Sequence, residues 1–142
     1  MRVLKGIPRE ISPEIMKCLM EMGHGDEIAI VDGNFPAHSF ERRVVRLDGL
    51  GVSEVLKAVI RFFPLDTFVE ENVFLMDNGS DEKPSIWKDF EEILKESGED
   101  YRIGYLERFE FYDRVKKSFC IVATSETALY ANIILKKGVV VV

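Results

Sequence analysis

Short apolar runs alternate with amphipathic stretches along most of this chain. Residues 28–31, 73–76 and 120–123 each form a run of four apolar side chains, which is typical of strands buried on both faces of a sheet. The apolar residues 133–135 predict a terminal strand. Because helical patterns separate most of these strands, the chain is predicted to be an α/β domain with a mainly parallel, helix-flanked sheet.

Apolar residues at helical spacing predict four helices. Ser12 is suited to the N-cap of the first helix, and Gly23 to the C′ position just after its end. The stripe within residues 52–63 predicts a strongly amphipathic second helix. The third helix is expected over residues 84–98, and the fourth over residues 108–119.

Length and composition indicate an ordinary globular protein. With 142 residues the chain is long enough to bury a full core, so we expect a single domain over residues 1–142. No apolar run approaches the roughly 18 residues that a membrane-spanning helix needs, and membrane binding is therefore not expected. The first five residues do not resemble a signal peptide, which leads us to expect a cytoplasmic protein.

Charge and cysteine content narrow the possible partners. The net charge of −6 and the pI of about 5.0 argue against nucleic acid as a partner. Cys18 and Cys120 are too few for a disulfide framework, and both are expected to be reduced and buried. His24 and His38 do not match a zinc-binding spacing. We therefore expect no metal site.

Polar residues follow the predicted strands at the edge where α/β proteins bind their ligands. Asp32 follows the strand at 28–31, Arg108 follows the strand near 103–106, and Tyr130 and Asn132 come after the strand at 120–123. These side chains form a good set for a polyhydroxylated ligand. Two simpler interpretations remain: Asp32 as a turn residue and Arg108 as a surface charge at a helix start.

His24 precedes the strand that Asp32 follows. Five extended residues span about 17 Å, so the two side chains cannot easily meet on one small ligand. Either the loops curl back, or the site combines Asp32 of one subunit with His24 of another. The apolar residues 139–142 favour the second arrangement, because they predict an exposed strand edge that a subunit interface would cover. For His38 a structural hydrogen bond is expected.

The motifs missing from the chain restrict the chemistry further. The sequence contains no GxGxxG, Walker loop, GxSxG or HExxH motif, so dinucleotide, nucleotide-phosphate, acyl-transfer and zinc-hydrolase functions have no support. A histidine that can exchange protons near neutral pH remains, together with carboxylate and hydroxyl partners. This set can carry out acid–base chemistry without a cofactor.

Four motifs resemble the L-fucose mutarotase / D-ribose pyranase family, in order and over nearly the whole chain. They are MGHGDEI at 22–28, DGNFPAHS at 32–39, RFEFYDRVKKSF at 108–119 and TALYANIILKKGV at 127–139. The second and third motifs are similar to the fucose branch. Ala131 stands where fucose members carry glycine, and Gly33 where alanine is usual, which leaves the preferred sugar open.

The resemblance implies an enzyme that interconverts the α and β anomers of a free monosaccharide, L-fucose foremost, without a metal or cofactor. It implies His24 as the catalytic acid, with Asp32, Arg108, Tyr130 and Asn132 as sugar contacts. It also implies a ring-shaped homo-oligomer, a decamer. Two other functions stay open: D-ribose pyranase activity, and a non-catalytic sugar-binding ring that would not need His24.

Overall fold

The computed structural model describes residues 3–142, which form a six-stranded sheet with helices on both faces. The strands are β1 (Glu27–Val31), β2 (Arg43–Leu47), β3 (Val73–Met76), β4 (Ile103–Leu106), β5 (Cys120–Thr124) and β6 (Ile133–Lys136). The helices are α1 (Pro13–Glu21), α2 (Val52–Ile60), α3 (Ile86–Ser97) and α4 (Arg108–Val115), with a short 3₁₀ helix at Ala37–Phe40. Within residues 3–142, none of the helices combines the length and apolar character needed to cross a membrane.

The strand order β2–β5–β1–β6–β3–β4 places β6 in the middle of the sheet. Strands β1 to β5 are parallel wherever they pair with one another, whereas β6 is antiparallel to both β1 and β3. The predicted α/β fold with a mainly parallel sheet is therefore confirmed. The reversed direction of β6 has a consequence for the site, because residues that precede β6 lie at the edge where the parallel strands end.

Two hydrophobic cores lie on opposite faces of the sheet, and alternate strand residues divide between them. In β1, Ile28 and Ile30 pack in the core beneath α1, α2 and α3. Ala29 and Val31 pack in the core beneath α4. A strand covered on both faces must be apolar throughout, which explains the uninterrupted run that the sequence shows.

The first helix begins where Ser12 predicts, and Gly23 follows its C-cap, Met22. The Ile15 amide donates a hydrogen bond to Ser12 Oγ at 3.3 Å. Helical backbone ends at Glu21, and Met22 is already extended with φ −69° and ψ 137°. Gly23 therefore stands at the predicted C′ position, but it does not adopt a positive φ, and its amide donates to Asp26 Oδ2 at 2.7 Å.

The fourth helix is shorter than the predicted range of residues 108–119. It ends at Val115, whose carbonyl accepts a hydrogen bond from the buried Ser118 hydroxyl at 2.7 Å. The Phe119 amide then donates to the Glu27 carbonyl at 2.8 Å, which starts the approach of β5 to β1. The last residues of the predicted helix therefore lead into the sheet and are not helical.

The strand edge predicted at residues 139–142 is absent. The sheet ends at Lys136, and the Gly138 amide donates to the Pro64 carbonyl at 2.7 Å as the chain turns away. Residues 139–142 form no strand, and their four valine side chains are at least 51 % exposed. The C-terminal end is therefore an exposed apolar surface, but the predicted strand conformation is wrong.

Cys18 and Cys120 are both free and buried, as predicted. Burial raises the pKa of the Cys120 thiol, and the neighbouring Cys18 thiol adds to that shift. Because the thiolate is the reactive form, we expect neither cysteine to react with Ellman's reagent in the folded protein and both to react in urea. A Ser80→Cys variant, with its cysteine on the surface, serves as the reactive control. Rapid labelling of either thiol in the folded wild type would contradict this expectation.

Candidate active site

A pocket at the carboxyl edge of the sheet contains four of the predicted site residues. Asp32 follows β1, and Arg108 opens α4 directly after β4. Tyr130 and Asn132 reach the same pocket from the segment before β6. They do so because β6 is antiparallel, which places its start, at Ile133, opposite Ile30 near the end of β1.

Asp32 and Asn132 connect the end of β1 to the start of β6. Asn132 Oδ1 accepts a hydrogen bond from the Asp32 amide at 2.8 Å. In return, Asp32 Oδ2 accepts from the Ala131 amide at 3.2 Å, and Asp32 Oδ1 accepts from the Asn34 amide at 3.1 Å. Asp32 is thus a turn residue, as the simpler interpretation held, and it lines the pocket as well. A carboxylate can accept about four hydrogen bonds, which leaves capacity for ligand hydroxyls.

Tyr130 has a left-handed backbone conformation with φ 56°. A bulky residue rarely adopts this region, and a strained backbone of this kind costs about 1–3 kcal/mol. The hydrogen bond between the adjacent Ala131 amide and Asp32 holds the segment in place. Strain of this kind is concentrated at functional sites, and here it falls on a residue that lines the pocket.

Arg108 is exposed but has a defined position. Its Nε donates to the Tyr112 hydroxyl at 3.2 Å, and its guanidinium lies 5.4 Å from the centre of the Tyr112 ring. Tyr112 also packs edge-on against Phe35, with ring centres 5.3 Å apart. The guanidinium fork and the tyrosine ring therefore form one side of the pocket together.

Five pocket residues were missed by sequence reasoning: Asn34, Phe35, Met76, Leu129 and Tyr112. A signal existed for Tyr112, because a residue four positions after Arg108 on a helix lies on the same face. Met76 ends the buried strand β3, so its position at the carboxyl edge also follows from the pattern.

Burial raises the pKa of the Asp32 carboxyl, and hydrogen bonds from Asn34, Ala131, Phe35 and Asn132 oppose the shift only in part. The pocket therefore holds a carboxyl group whose proton is bound more tightly than in water. Such a group can accept hydrogen bonds from sugar hydroxyls as a carboxylate and can donate one when it is protonated.

The raised pKa of Asp32 predicts a specific dependence of stability on pH. The folded protein binds this proton more tightly than the unfolded chain, so the free energy of unfolding falls as the pH rises from about 4 through the raised pKa. In an Asp32→Asn variant this contribution is absent. At fixed protein concentration, we expect the stability of the wild type relative to the variant to fall as the pH rises above about 4, measured by urea unfolding. A difference that rises with pH, or stays constant, would contradict the shift.

His24 lies at the opposite edge of the sheet from the pocket. The adjacent Gly25 amide donates to the Lys137 carbonyl at 2.8 Å, which fixes this turn beside the end of β6. The five residues of β1 separate His24 from Asp32, about 17 Å in extended chain. Within one chain, the structure does not bring His24 to the pocket, and completion of the site by a second subunit stays a prediction.

A buried carboxylate holds the His24 ring. His24 Nε2 lies 3.1 Å from Asp66 Oδ1, and the Asp66 residue is only 2 % exposed. Burial alone would raise the pKa of Asp66, but hydrogen bonds from the Phe68 amide and His24 and the charge of Lys136 lower it overall. The ionised carboxylate orients the ring and favours a proton on Nε2, and the imidazole is half-exposed. Sequence reasoning missed Asp66, which lies 42 residues from His24.

The other histidine has a surface contact of its own. His38 Nε2 lies 3.2 Å from Arg46 Nη1, and both residues are exposed. This agrees with the predicted structural hydrogen bond. In the part of the chain from residue 3 onward, no three His, Cys, Asp or Glu side chains are grouped so that they could hold a metal ion.

Comparisons with known proteins identify relatives over nearly the whole chain. A model of the RbsD / FucU transport protein family matches residues 5–140. The human protein named fucose mutarotase is 46% identical, over 98% of this chain and 96% of the relative. The L-fucose mutarotase of Actinobacillus pleuropneumoniae serotype 5b (strain L20) is 43% identical, over 96% of this chain and 97% of the relative. The crystal structure of the Streptococcus pneumoniae fucose mutarotase in complex with L-fucose is 48% identical. It superposes with a TM-score of 0.92 over 97% of this chain and 100% of that chain.

Proposed function

The chain belongs to the RbsD / FucU transport protein family, and on that basis we propose that it is a fucose mutarotase. This isomerase interconverts the α and β anomers of free L-fucose, with residues 1–142 acting as one sugar mutarotase domain. The observation that carries the proposal is the pocket at the carboxyl edge, where Asp32, Arg108, Tyr130 and Asn132 converge in a fold shared with a fucose-bound relative.

The reaction is a balanced proton exchange. A proton goes to the ring oxygen while the C1 hydroxyl loses one, so the C1–O5 bond breaks and a free aldehyde forms. The aldehyde rotates about the C1–C2 bond and recloses on its other face, which returns both protons. Acid and base groups in fixed positions each contribute about 10²–10⁴-fold to such a step.

We assign the proton donation to His24. Its imidazole is half-exposed and is held by the buried Asp66 carboxylate. Because β1 separates His24 from the pocket of the same chain, the proposed site joins the pocket of one subunit to the His24 and Asp66 of a neighbour. The proposed assembly is a ring-shaped homodecamer, and the exposed valines at 139–142 are apolar surface that such contacts would cover. The cytoplasmic location expected from the sequence stays a prediction.

Saturation-transfer NMR on purified protein with L-fucose, D-ribose and D-galactose in turn tests the proposal. We expect magnetisation to pass between the α and β signals of L-fucose faster than in buffer alone, which records uncatalysed mutarotation. Faster pyranose–furanose exchange confined to ribose would indicate a ribose pyranase. Binding without faster exchange would indicate a non-catalytic sugar-binding protein. Either result would overturn the proposal.

A further inference from the structure

Phe68 exposes its aromatic ring beside the proposed catalytic acid. The residue is 79 % exposed, and its ring centre lies 5.5 Å from that of the His24 imidazole, with the planes tilted by 56°. A single exposed apolar side chain is common on protein surfaces and has no meaning by itself. Its position beside His24 and the way it is held are what distinguish it.

The same carboxylate oxygen contacts the His24 ring and the Phe68 backbone. Asp66 Oδ1 accepts a hydrogen bond from the Phe68 amide at 3.1 Å and contacts His24 Nε2 at 3.1 Å. Asp66 is anchored in turn, because its amide donates to the Lys136 carbonyl at 3.0 Å and its carbonyl accepts from Asn72 Nδ2 at 3.1 Å. The imidazole and the backbone of Phe68 are therefore tied to one buried side chain, which places the phenyl ring beside the imidazole.

We propose that Phe68 is a sugar-contacting residue whose ring covers the C5 methyl group and adjoining C–H face of the fucose bound at His24. The inference rests on the proposed function, since it requires His24 to donate to the sugar ring oxygen. A donated hydrogen bond brings that oxygen within about 3 Å of an imidazole nitrogen. Only C5 separates the methyl group from the ring oxygen, so the methyl group falls within reach of the neighbouring phenyl ring.

The contact gives Phe68 a defined role in specificity. L-Fucose is the 6-deoxy form of L-galactose, and the two sugars differ by one hydroxyl group on C6. A methyl group against an aromatic ring leaves no polar atom unpaired, whereas the galactose hydroxyl would lose water there without gaining a partner. Phe68 therefore favours the deoxy sugar through binding, while His24 supplies the proton.

Replacement of the ring tests this role. For Phe68→Ala we expect the KM for L-fucose to rise about tenfold with kcat nearly unchanged, because a binding contact is lost and the acid remains. The ratio of kcat/KM for L-fucose to kcat/KM for L-galactose should fall by a similar factor. Phe68→Tyr keeps the ring and should retain the wild-type KM. Met20→Ala removes another exposed apolar side chain, from α1, and should change nothing.

Other outcomes separate this inference from the proposed function. If wild-type protein accelerates fucose exchange and Phe68→Ala retains its KM and sugar preference, the role of Phe68 is wrong and the function stands. A Phe68→Ala variant that loses activity because its oligomer dissociates, measured by light scattering, would make Phe68 a subunit contact and also overturn the role. Wild-type protein that leaves exchange at the uncatalysed rate would overturn both.

Discussion

Replacing His24 with alanine is expected to lower the rate of catalysed fucose anomer exchange by about 10²–10⁴-fold, the contribution of one positioned acid. The imidazole is the proposed proton donor to the ring oxygen, and its side chain is 47% exposed, so its removal should leave the fold intact. Saturation-transfer NMR measures the exchange rate, and circular dichroism checks the fold. Asp66 keeps its hydrogen bond from the Phe68 amide in the variant, so the loop geometry should survive.

The second histidine provides a matched control for this experiment. His38 is exposed, contacts Arg46 and is not among the residues that line the pocket. The same substitution, His38→Ala, should leave the exchange rate close to that of the wild type. If His24→Ala retained full activity, or if both variants lost it equally, the assignment of the acid to His24 would be wrong.

Mixed oligomers are expected to recover activity that neither parent variant has. The His24→Ala subunit keeps an intact pocket with Asp32, and an Asp32→Asn subunit keeps an intact His24. A site shared by two neighbours is intact when its pocket comes from a His24→Ala subunit and its histidine from an Asp32→Asn subunit. In a random equal mixture each condition holds at about half of the repeated interfaces, so about one site in four is intact. Co-expressed subunits should therefore show about a quarter of the wild-type exchange rate.

This result depends on the geometry of one strand. Because β1 separates His24 from Asp32, His24 does not line the pocket of its own subunit. The controls are the two variants alone, together with native mass spectrometry to verify that mixed oligomers form. Mixed oligomers without recovered activity would place the whole site inside one subunit. Arg108→Ala is a second pocket variant for the same mixing experiment, because this exposed residue carries little of the fold.

Local patterns in the sequence were sufficient for most of the sheet. The runs that became β1, β3 and β5 are apolar throughout because both faces of these strands are covered. Asp32 and Arg108 follow strand ends directly, so their positions at the carboxyl edge could be predicted from local pattern alone. Tyr112 was also within reach of such reasoning, since helix geometry ties it to Arg108.

Local propensity failed where a distant segment competed for the same residues. The fourth helix lost its last predicted turn because Phe119 pairs with Glu27, far away in the sequence. At residues 139–142 the apolar pattern predicted a strand, but the chain turns away from the sheet at Gly138.

The sequence by itself determined the fold class, the buried strands and the residue types of a sugar site, because each depends on neighbours a few positions apart. Only the tertiary structure decided how these residues meet. The antiparallel direction of β6 brings Asn132 to Asp32 across 100 residues, and the loop after α2 brings Asp66 to His24 across 42. Such pairings depend on the packing of the whole sheet, which no local pattern encodes.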